Sequence, residues 1–181
     1  MTLQLVSAFR VTLVCVLWLI SGFAVANEPG SARFDRTSLV VQQMDSSVVF
    51  WRDVMGFELV LEPRTLPSTN NPYLGWTEDA VVRFARFVSP DGAGLGLLEV
   101  QQPGFPSLKI KDHATGHGGV ILVMVATDIE ALYKRAVKAK AVLKPLGLSA
   151  TGLSKHMYLK SPSGHALELY ELLTEADQAS R

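Results

Sequence analysis

The chain has 181 residues, with 17 basic and 17 acidic side chains and a formal net charge of zero. Hydrophobic residues make up 48% of it, enough to bury a core, which excludes a disordered polyelectrolyte. The balanced charge and the absence of a basic stripe argue against a nucleic-acid-binding protein. The length favours one ordinary domain, or two small halves that share a core.

Residues 1–26 have the pattern of a secretory signal peptide. Arg10 precedes an apolar run of about ten residues, whereas a spanning helix needs ~20. The run is followed by Ala24-Val25-Ala26, an A-x-A site for a signal peptidase. An uncleaved N-terminal anchor is the alternative. Cleavage near Ala26 would release a protein without cysteine into the periplasm or the medium, with no stable membrane association.

After a linker at 27–33, the sequence predicts a first β-α-β-β-β module at 34–104. N-cap residues at 45–47 precede a predicted short helix at 48–55, and Gly56 stands where a C-cap glycine belongs. A long loop at 63–79 contains several Pro and Asn residues, and loops of this length are usually functional or disordered. Strands are predicted around this helix and loop at 34–41, 57–61, 81–87 and 94–100.

The same order of elements is predicted again at 118–173, after a second linker at 105–117. The continuous apolar run at 120–125 predicts a strand buried on both faces. Asp128 is the expected N-cap of an amphipathic helix, and the remaining strands are predicted near 142–145, 156–160 and 166–172. A polar tail occupies 174–181. The sequence thus predicts an α+β fold of paired βαβββ modules that form a curved mixed sheet around a cleft.

Three segments resemble a known family. SVVFWRDVMGF at 47–57 is similar to a helix-and-exit motif S-x-x-F-Y-x-x-x-L-G-F, and SPSGHALEL at 161–169 is similar to a closing hairpin D-P-x-G-x-x-x-E-L. DIEAL at 128–132 matches the start of the second helix. Together they resemble the vicinal oxygen chelate superfamily, which includes lactoylglutathione lyase, extradiol dioxygenases and bleomycin-resistance proteins. The resemblance covers roughly residues 34–172 and implies the same paired-module fold.

The resemblance also implies where a divalent metal ion would be held, on the first and last strands of each half. The matching positions are Arg36, Glu99, Ile121 and Glu168. Two carboxylates leave most of a metal's ligand shell to water, and Arg36 adds a permanent positive charge. We therefore expect a metal-free cleft without a cofactor, in which the Arg36 guanidinium takes the place of the metal and pairs with Glu99, Glu168 or both.

A divalent metal ion is the alternative, and a histidine would then have to complete the site. His117 is the best candidate beside Glu99 and Glu168, because positions 117 and 121 share strand parity. The simpler interpretation places His113 and His117 in a solvent-facing linker. His165 has the opposite parity to Glu168 and is expected to point away from it.

Aromatic residues supply further candidates for ligand contacts. Trp76, in the long loop, could close over a ligand, whereas Trp51 is expected to anchor its helix in the core. Tyr158 and His156 either line the cleft or form a half-exposed pair on one strand.

Two functional hypotheses follow. The first is an exported protein similar to the glyoxalase and bleomycin-resistance proteins, which binds a small organic ligand through Arg36, Glu99, Ile121, Glu168, Trp76 and Tyr158. The alternative is a metal-dependent lyase or isomerase similar to lactoylglutathione lyase, with Glu168 and Glu99 as the catalytic groups. Export counts against that alternative because glutathione is mainly cytosolic. Both a monomer and a homodimer are compatible with the sequence.

Overall fold

The computed structural model describes residues 34–66, 71–106 and 120–175, and the predicted signal peptide lies outside them. The first module contains β1 (Arg36–Val41), α1 (Met44–Val49), β2 (Glu58–Thr65), β3 (Val81–Val88) and β4 (Gly94–Gln101). A π-helical turn (Phe50–Val54) continues α1, and a 3₁₀ turn (Pro72–Leu74) lies between β2 and β3. The second module contains β5 (Ile121–Val125), α2 (Ile129–Lys138), β6 (Val142–Leu148), β7 (Ser154–Lys160) and β8 (Ala166–Leu172).

Each module forms its own four-stranded mixed sheet. The strand orders are β1-β4-β3-β2 and β5-β8-β7-β6, so the first strand of each module lies beside the last. These first and last strands are parallel, and the other neighbours are antiparallel. The predicted α+β fold of two βαβββ modules is confirmed. Because the parallel pairs bring residues distant in sequence side by side, they also determine which side chains meet at the candidate site.

One hydrophobic core unites the two modules on the helix side of their sheets. It combines alternate residues of the strands with α1, its π-helical turn and α2. Trp51 is completely buried there and contacts Phe50 and Phe57, as expected of a helix anchor. Across the module boundary, Arg135 Nε of α2 donates a hydrogen bond to the carbonyl oxygen of Val54 at 2.9 Å. We call the opposite face of each sheet, which turns away from the helices, its open face.

The helix ends agree only partly with the sequence predictions. Asp128 caps α2 as predicted, accepting a hydrogen bond from Ala131 N at 2.8 Å. Gly56 follows the first helix with φ +78°, the left-handed conformation that a C-cap glycine adopts at little cost. The predicted N-cap at 45–47 is wrong, because α1 already begins at Met44 and its N-cap residue, Gln43, makes no side-chain capping bond.

β5 differs from the predicted strand buried on both faces. Its side chains alternate, and Ile121, Val123 and Val125 on the open face remain 40%, 59% and 63% exposed. The apolar run is thus continuous because one face packs on the core while the other is an exposed aliphatic surface. Within the part of the chain that the structure describes, no helix is long and apolar enough to cross a membrane.

Candidate functional site

The two parallel strand pairs have matching registers. In the first sheet Arg36, the first residue of β1, pairs with Gly94, the first residue of β4. In the second sheet Ile121, the first residue of β5, pairs with Ala166, the first residue of β8. Arg36 and Ile121 are therefore structural counterparts, in agreement with their assignment to equivalent positions from the sequence.

The same register identifies the counterpart of Glu168. Glu168 pairs with Val123, and the equivalent pair in the first sheet is Gly96 with Ser38. Glu168 follows the strand's first residue by two positions, as Gly96 does, so both lie on the open face. The first module thus has a glycine, without a side-chain donor, where the second module has a carboxylate.

Glu99 lies on the other face of β4, against the helix. It is only 8% exposed. Its Oε1 accepts a hydrogen bond from the backbone N–H of Met44 at 3.3 Å, and its Oε2 accepts one from Arg83 Nη1 at 3.0 Å. Arg83 also bonds Asp45 at 3.1 Å, and this bond, followed by the one to Glu99, raises the pKa of the guanidinium. Glu99 therefore stabilises the start of α1.

A second glutamate repeats this arrangement in the other module. Glu171 Oε2 accepts a hydrogen bond from Ile129 N, the first residue of α2, at 2.7 Å. Glu99 is consequently the counterpart of Glu171 and not of Glu168. The prediction that Glu99 points into one cleft beside Glu168 is wrong, because Glu99 lies on the helix side of its sheet. Glu99 is therefore not retained as a candidate ligand-binding, metal-binding or catalytic residue.

Arg36 is on the open face as predicted, but its ionic partner is not the predicted one. Its Nη1 donates to Asp35 Oδ2 at 2.6 Å, and its guanidinium carbon lies 5.7 Å from the centroid of the Phe84 ring. No ion pair joins Arg36 to Glu99 or Glu168 in the described residues. The buried carboxylate of Glu99, expected beside Arg36, is instead paired with Arg83.

Glu168 lies in a row of side chains that crosses the open face of the second sheet. Cross-strand pairing places Lys144 opposite Tyr158, Tyr158 opposite Glu168 and Glu168 opposite Val123. Tyr158 and Glu168 share a side-chain hydrogen bond, and burial followed by the charge of Glu168 raises the pKa of the phenol. The phenol consequently stays protonated and donates to the carboxylate.

His156 extends this row into the glutamate patch, a name we use for Lys144, His156, Tyr158 and Glu168. The His156 and Tyr158 rings meet edge to face with centroids 5.9 Å apart, and both lie on the open face. Lys144 Nζ lies 3.1 Å from His156 Nε2 and 5.6 Å from the Tyr158 ring centroid. The patch presents a cation, a carboxylate and two aromatic rings beside the exposed aliphatic residues of β5, a combination that suits a small polar organic ligand.

Trp76 packs on the open face of the first sheet and is 9% exposed. It forms a second hydrophobic cluster with Ala80 and Val82. Gln102 holds the surrounding loop by donating to Gly75 O at 3.0 Å and accepting from Thr77 N at 3.1 Å. The described part of the loop thus covers one end of this sheet, with Trp76 as its anchor.

A groove of about 380 Å³ lies between this sheet and the turn before β8. Its walls include Val40, Gln42, Phe105, Ser163 and His165.

Hydrogen bonds beside this groove join the two modules. Gln42 N donates to Ser163 Oγ at 3.0 Å. The His165 ring bonds Ser161 Oγ at 2.9 Å and the backbone of Val40, and burial lowers its pKa. His165 thus links the two modules.

The donors present do not fit the divalent metal ion that the family resemblance implies. The four register-matched positions hold Arg36, Gly96, Ile121 and Glu168, a set with one carboxylate and one cation, whereas a hard divalent ion needs about six oxygen or nitrogen donors. Across the described ranges, no three His, Cys, Asp or Glu side chains are grouped as metal ligands. The other predicted candidate, His117, lies outside those ranges.

The fold and the site positions define a protein built on paired βαβββ modules. The model of the Glyoxalase/Bleomycin resistance protein/Dioxygenase superfamily matches residues 33–169, and the chain belongs to this superfamily. Sequence comparison with curated proteins gives no match.

Solved structures share the fold at low sequence identity. A glyoxalase family protein from Bacillus cereus is 22% identical, with a TM-score of 0.65 over 83% of this chain and 100% of that chain. A glyoxalase/dioxygenase from Nostoc punctiforme is 17% identical, with a TM-score of 0.58 over 85% of this chain and 100% of that chain. TioX from Micromonospora sp. ML1 is 20% identical, with a TM-score of 0.51 over 78% of this chain and 100% of that chain. These similarities concern the fold alone.

Proposed function

We propose that this protein binds a small organic molecule on the open faces of its sheets and does so without a divalent metal ion. The observation that carries the proposal is the register of the parallel strand pairs, which leaves Glu168 as the one carboxylate among the four register-matched positions. Gly96 and Ile121 offer no donor to a metal, and Arg36 would repel it. The polar groups of the glutamate patch and the aliphatic surface of β5 would orient the ligand and bury its apolar part.

Export is part of this proposal. The leader pattern at 1–26 and the absence of cysteine from the rest of the chain support a protein that works in the periplasm or outside the cell. In such a compartment a binding protein can sequester a small molecule without chemistry. A glutathione-dependent activity would lack its mainly cytosolic thiol.

The alternative function is a metal-dependent lyase or isomerase similar to lactoylglutathione lyase. One observation favours it: Glu168 lies on the open face with a protonated phenol as its hydrogen-bond donor, so the carboxylate is positioned to accept a proton. The position of Glu99 weakens this alternative. The chemistry would need Glu99 as a second glutamate, but Glu99 accepts a hydrogen bond at the start of α1.

The experiment that separates the two functions combines an activity assay with a binding assay. The purified protein, Glu168→Gln and the exposed control Glu58→Gln are incubated with a hemithioacetal, with and without added Ni²⁺, Zn²⁺, Co²⁺ or Mn²⁺. We expect isomerisation to stay at the buffer rate in all samples. In a thermal-shift screen, ligands should raise Tm equally with and without EDTA; a ligand at a hundred times its Kd adds about 2.7 kcal/mol to the free energy of unfolding.

The opposite result would be metal-stimulated isomerisation that Glu168→Gln abolishes and Glu58→Gln retains. Ligand stabilisation that disappears in EDTA would equally contradict the metal-free proposal. A commercial lactoylglutathione lyase in the same buffers checks that the assay can detect turnover.

A further inference from the structure

Two arginines on the open face of the first sheet share a single carboxylate. Arg36 Nη1 lies 2.6 Å from one oxygen of Asp35, and Arg86 Nη2 lies 4.0 Å from the other. The three side chains carry one net positive charge, and they form what we call the arginine patch. The side chains of Arg36 and Arg86 are 40% and 42% exposed, so both can reach a dissolved ligand.

Gly96 makes room for this patch. It lies directly opposite Arg86 in the β3–β4 pair. A Cβ at this position would lie 2.9 Å from Ser38 Oγ, 3.0 Å from Phe84 Cε2 and 3.5 Å from Arg36 Nε. The missing side chain allows the Arg36 guanidinium to lie close over the strand, next to an aromatic ring and on the same face as Arg86.

The hydrogen-bonding capacity of the patch exceeds what the protein itself uses. Each guanidinium has five N–H donors in a fixed fork. The contact of Arg86 Nη2 with Asp35 is an ion pair at 4.0 Å, too long for a hydrogen bond, and the Arg86 side chain is 42% exposed. Guanidinium forks match the paired oxygens of carboxylates and phosphates.

We propose that the arginine patch binds the oxyanion group, carboxylate or phosphate, of a small organic ligand. This inference rests on the proposed function and gives it a ligand class, because a site without a metal ion must match the charge of its ligand with protein side chains. Phe84 beside Arg36 provides an apolar surface for the part of the ligand next to the anion. Asp35 competes with the ligand for both guanidinium groups.

The test is calorimetric titration of the purified protein with benzoate, phenyl phosphate and inorganic phosphate, and with benzylamine as a probe of opposite charge. We expect at least one oxyanion to bind with a salt-dependent affinity, and benzylamine not to bind. Arg36→Gln and Arg86→Gln should each weaken binding about tenfold, because a lost charge-assisted hydrogen bond is a change of this order. Asp35→Asn should strengthen binding severalfold by releasing both guanidinium groups.

Arg52→Gln is the matched control, since Arg52 also pairs with its sequence neighbour, Asp53, at 2.6 Å, but lies on the π-helical turn after α1. The affinity of the Arg52→Gln variant for the oxyanion should stay within twofold of the wild type. Circular dichroism verifies that every variant is folded. Failure of every oxyanion to bind, even to Asp35→Asn, or binding that neither Arg36→Gln nor Arg86→Gln weakens, would overturn the inference. Neither outcome tests the proposal that the protein binds its ligand without a metal ion. That proposal fails only if the protein binds divalent metal ions or needs them to bind its ligand.

Discussion

Replacing Glu99 by alanine should lower the free energy of unfolding by about 2–3 kcal/mol, because the substitution removes a buried charged acceptor. The backbone N–H of Met44 loses its bond at 3.3 Å, and Arg83 loses one of its two carboxylates while it keeps Asp45. Urea denaturation followed by circular dichroism measures the change. Ligand affinity of the folded variant should remain that of the wild type, since Glu99 lies on the helix side of its sheet.

Glu58→Ala is the control for this prediction, because Glu58 is an exposed glutamate on β2 of the same sheet. Its free energy of unfolding should stay within about 0.5 kcal/mol of the wild type. If Glu99→Ala were as stable as this control but lost affinity for a ligand or a metal ion, Glu99 would be a site residue and the assigned structural role would be wrong.

Replacing Gly96 by alanine should cost about 1–3 kcal/mol of stability, the range for an added methyl group in a space already filled. The new Cβ would meet Ser38 Oγ at 2.9 Å and Phe84 Cε2 at 3.0 Å, both closer than normal contacts. Arg36 Nε would lie at 3.5 Å, an ordinary van der Waals distance, but it sits beside the Phe84 ring, so the displacement of that ring should lower oxyanion affinity together with stability. Urea denaturation and benzoate titration measure the two effects.

Gly147→Ala provides the comparison, because Gly147 is also a strand glycine and a Cβ added there would meet no atom within 4 Å. This variant should be as stable as the wild type or slightly more stable, by less than about 1 kcal/mol. Equal stability of Gly96→Ala and Gly147→Ala would show that the open face at Gly96 has free space, contrary to the close approach of Ser38 and Phe84.

The fold is predictable from the sequence because its signals are local and occur twice. Alternating strands, an N-cap at Asp128 and a C-cap glycine at Gly56 are each readable within a few residues. The start of α1 is not, because it depends on Glu99, a residue more than fifty positions away in the chain. A distant acceptor of this kind leaves no local pattern.

The candidate site is only partly predictable, and the error at Glu99 has a definite cause. The sequence L-G-L-L-E at 95–99 matches the family's metal position only through its glutamate. Aligning it with L-E-L-Y-E at 167–171, within the same chain, places Gly96 opposite Glu168 and Glu99 opposite Glu171. The alternation of strand side chains makes such an offset decisive, because an odd shift moves a residue to the other face.

Arg86 and Lys144 cannot be identified as site residues from the sequence, because their importance depends on cross-strand pairing. Arg86 is significant as the residue opposite Gly96, and Lys144 as the residue opposite Tyr158. The available signal is the pair of glycines at the start of β4, since glycine within a strand often marks a close approach of another group. Which group approaches cannot be predicted without the register.

The most direct test of metal-free binding is a calorimetric titration of the purified, metal-stripped protein with Ni²⁺, Zn²⁺, Co²⁺ and Mn²⁺. We expect no stoichiometric binding, because Glu168 is the one carboxylate among the four register-matched positions and a single carboxylate cannot hold a divalent ion. One ion bound per chain with micromolar or tighter affinity, and lost in Glu168→Gln, would contradict this expectation and make a metal-dependent catalyst the better description of this protein.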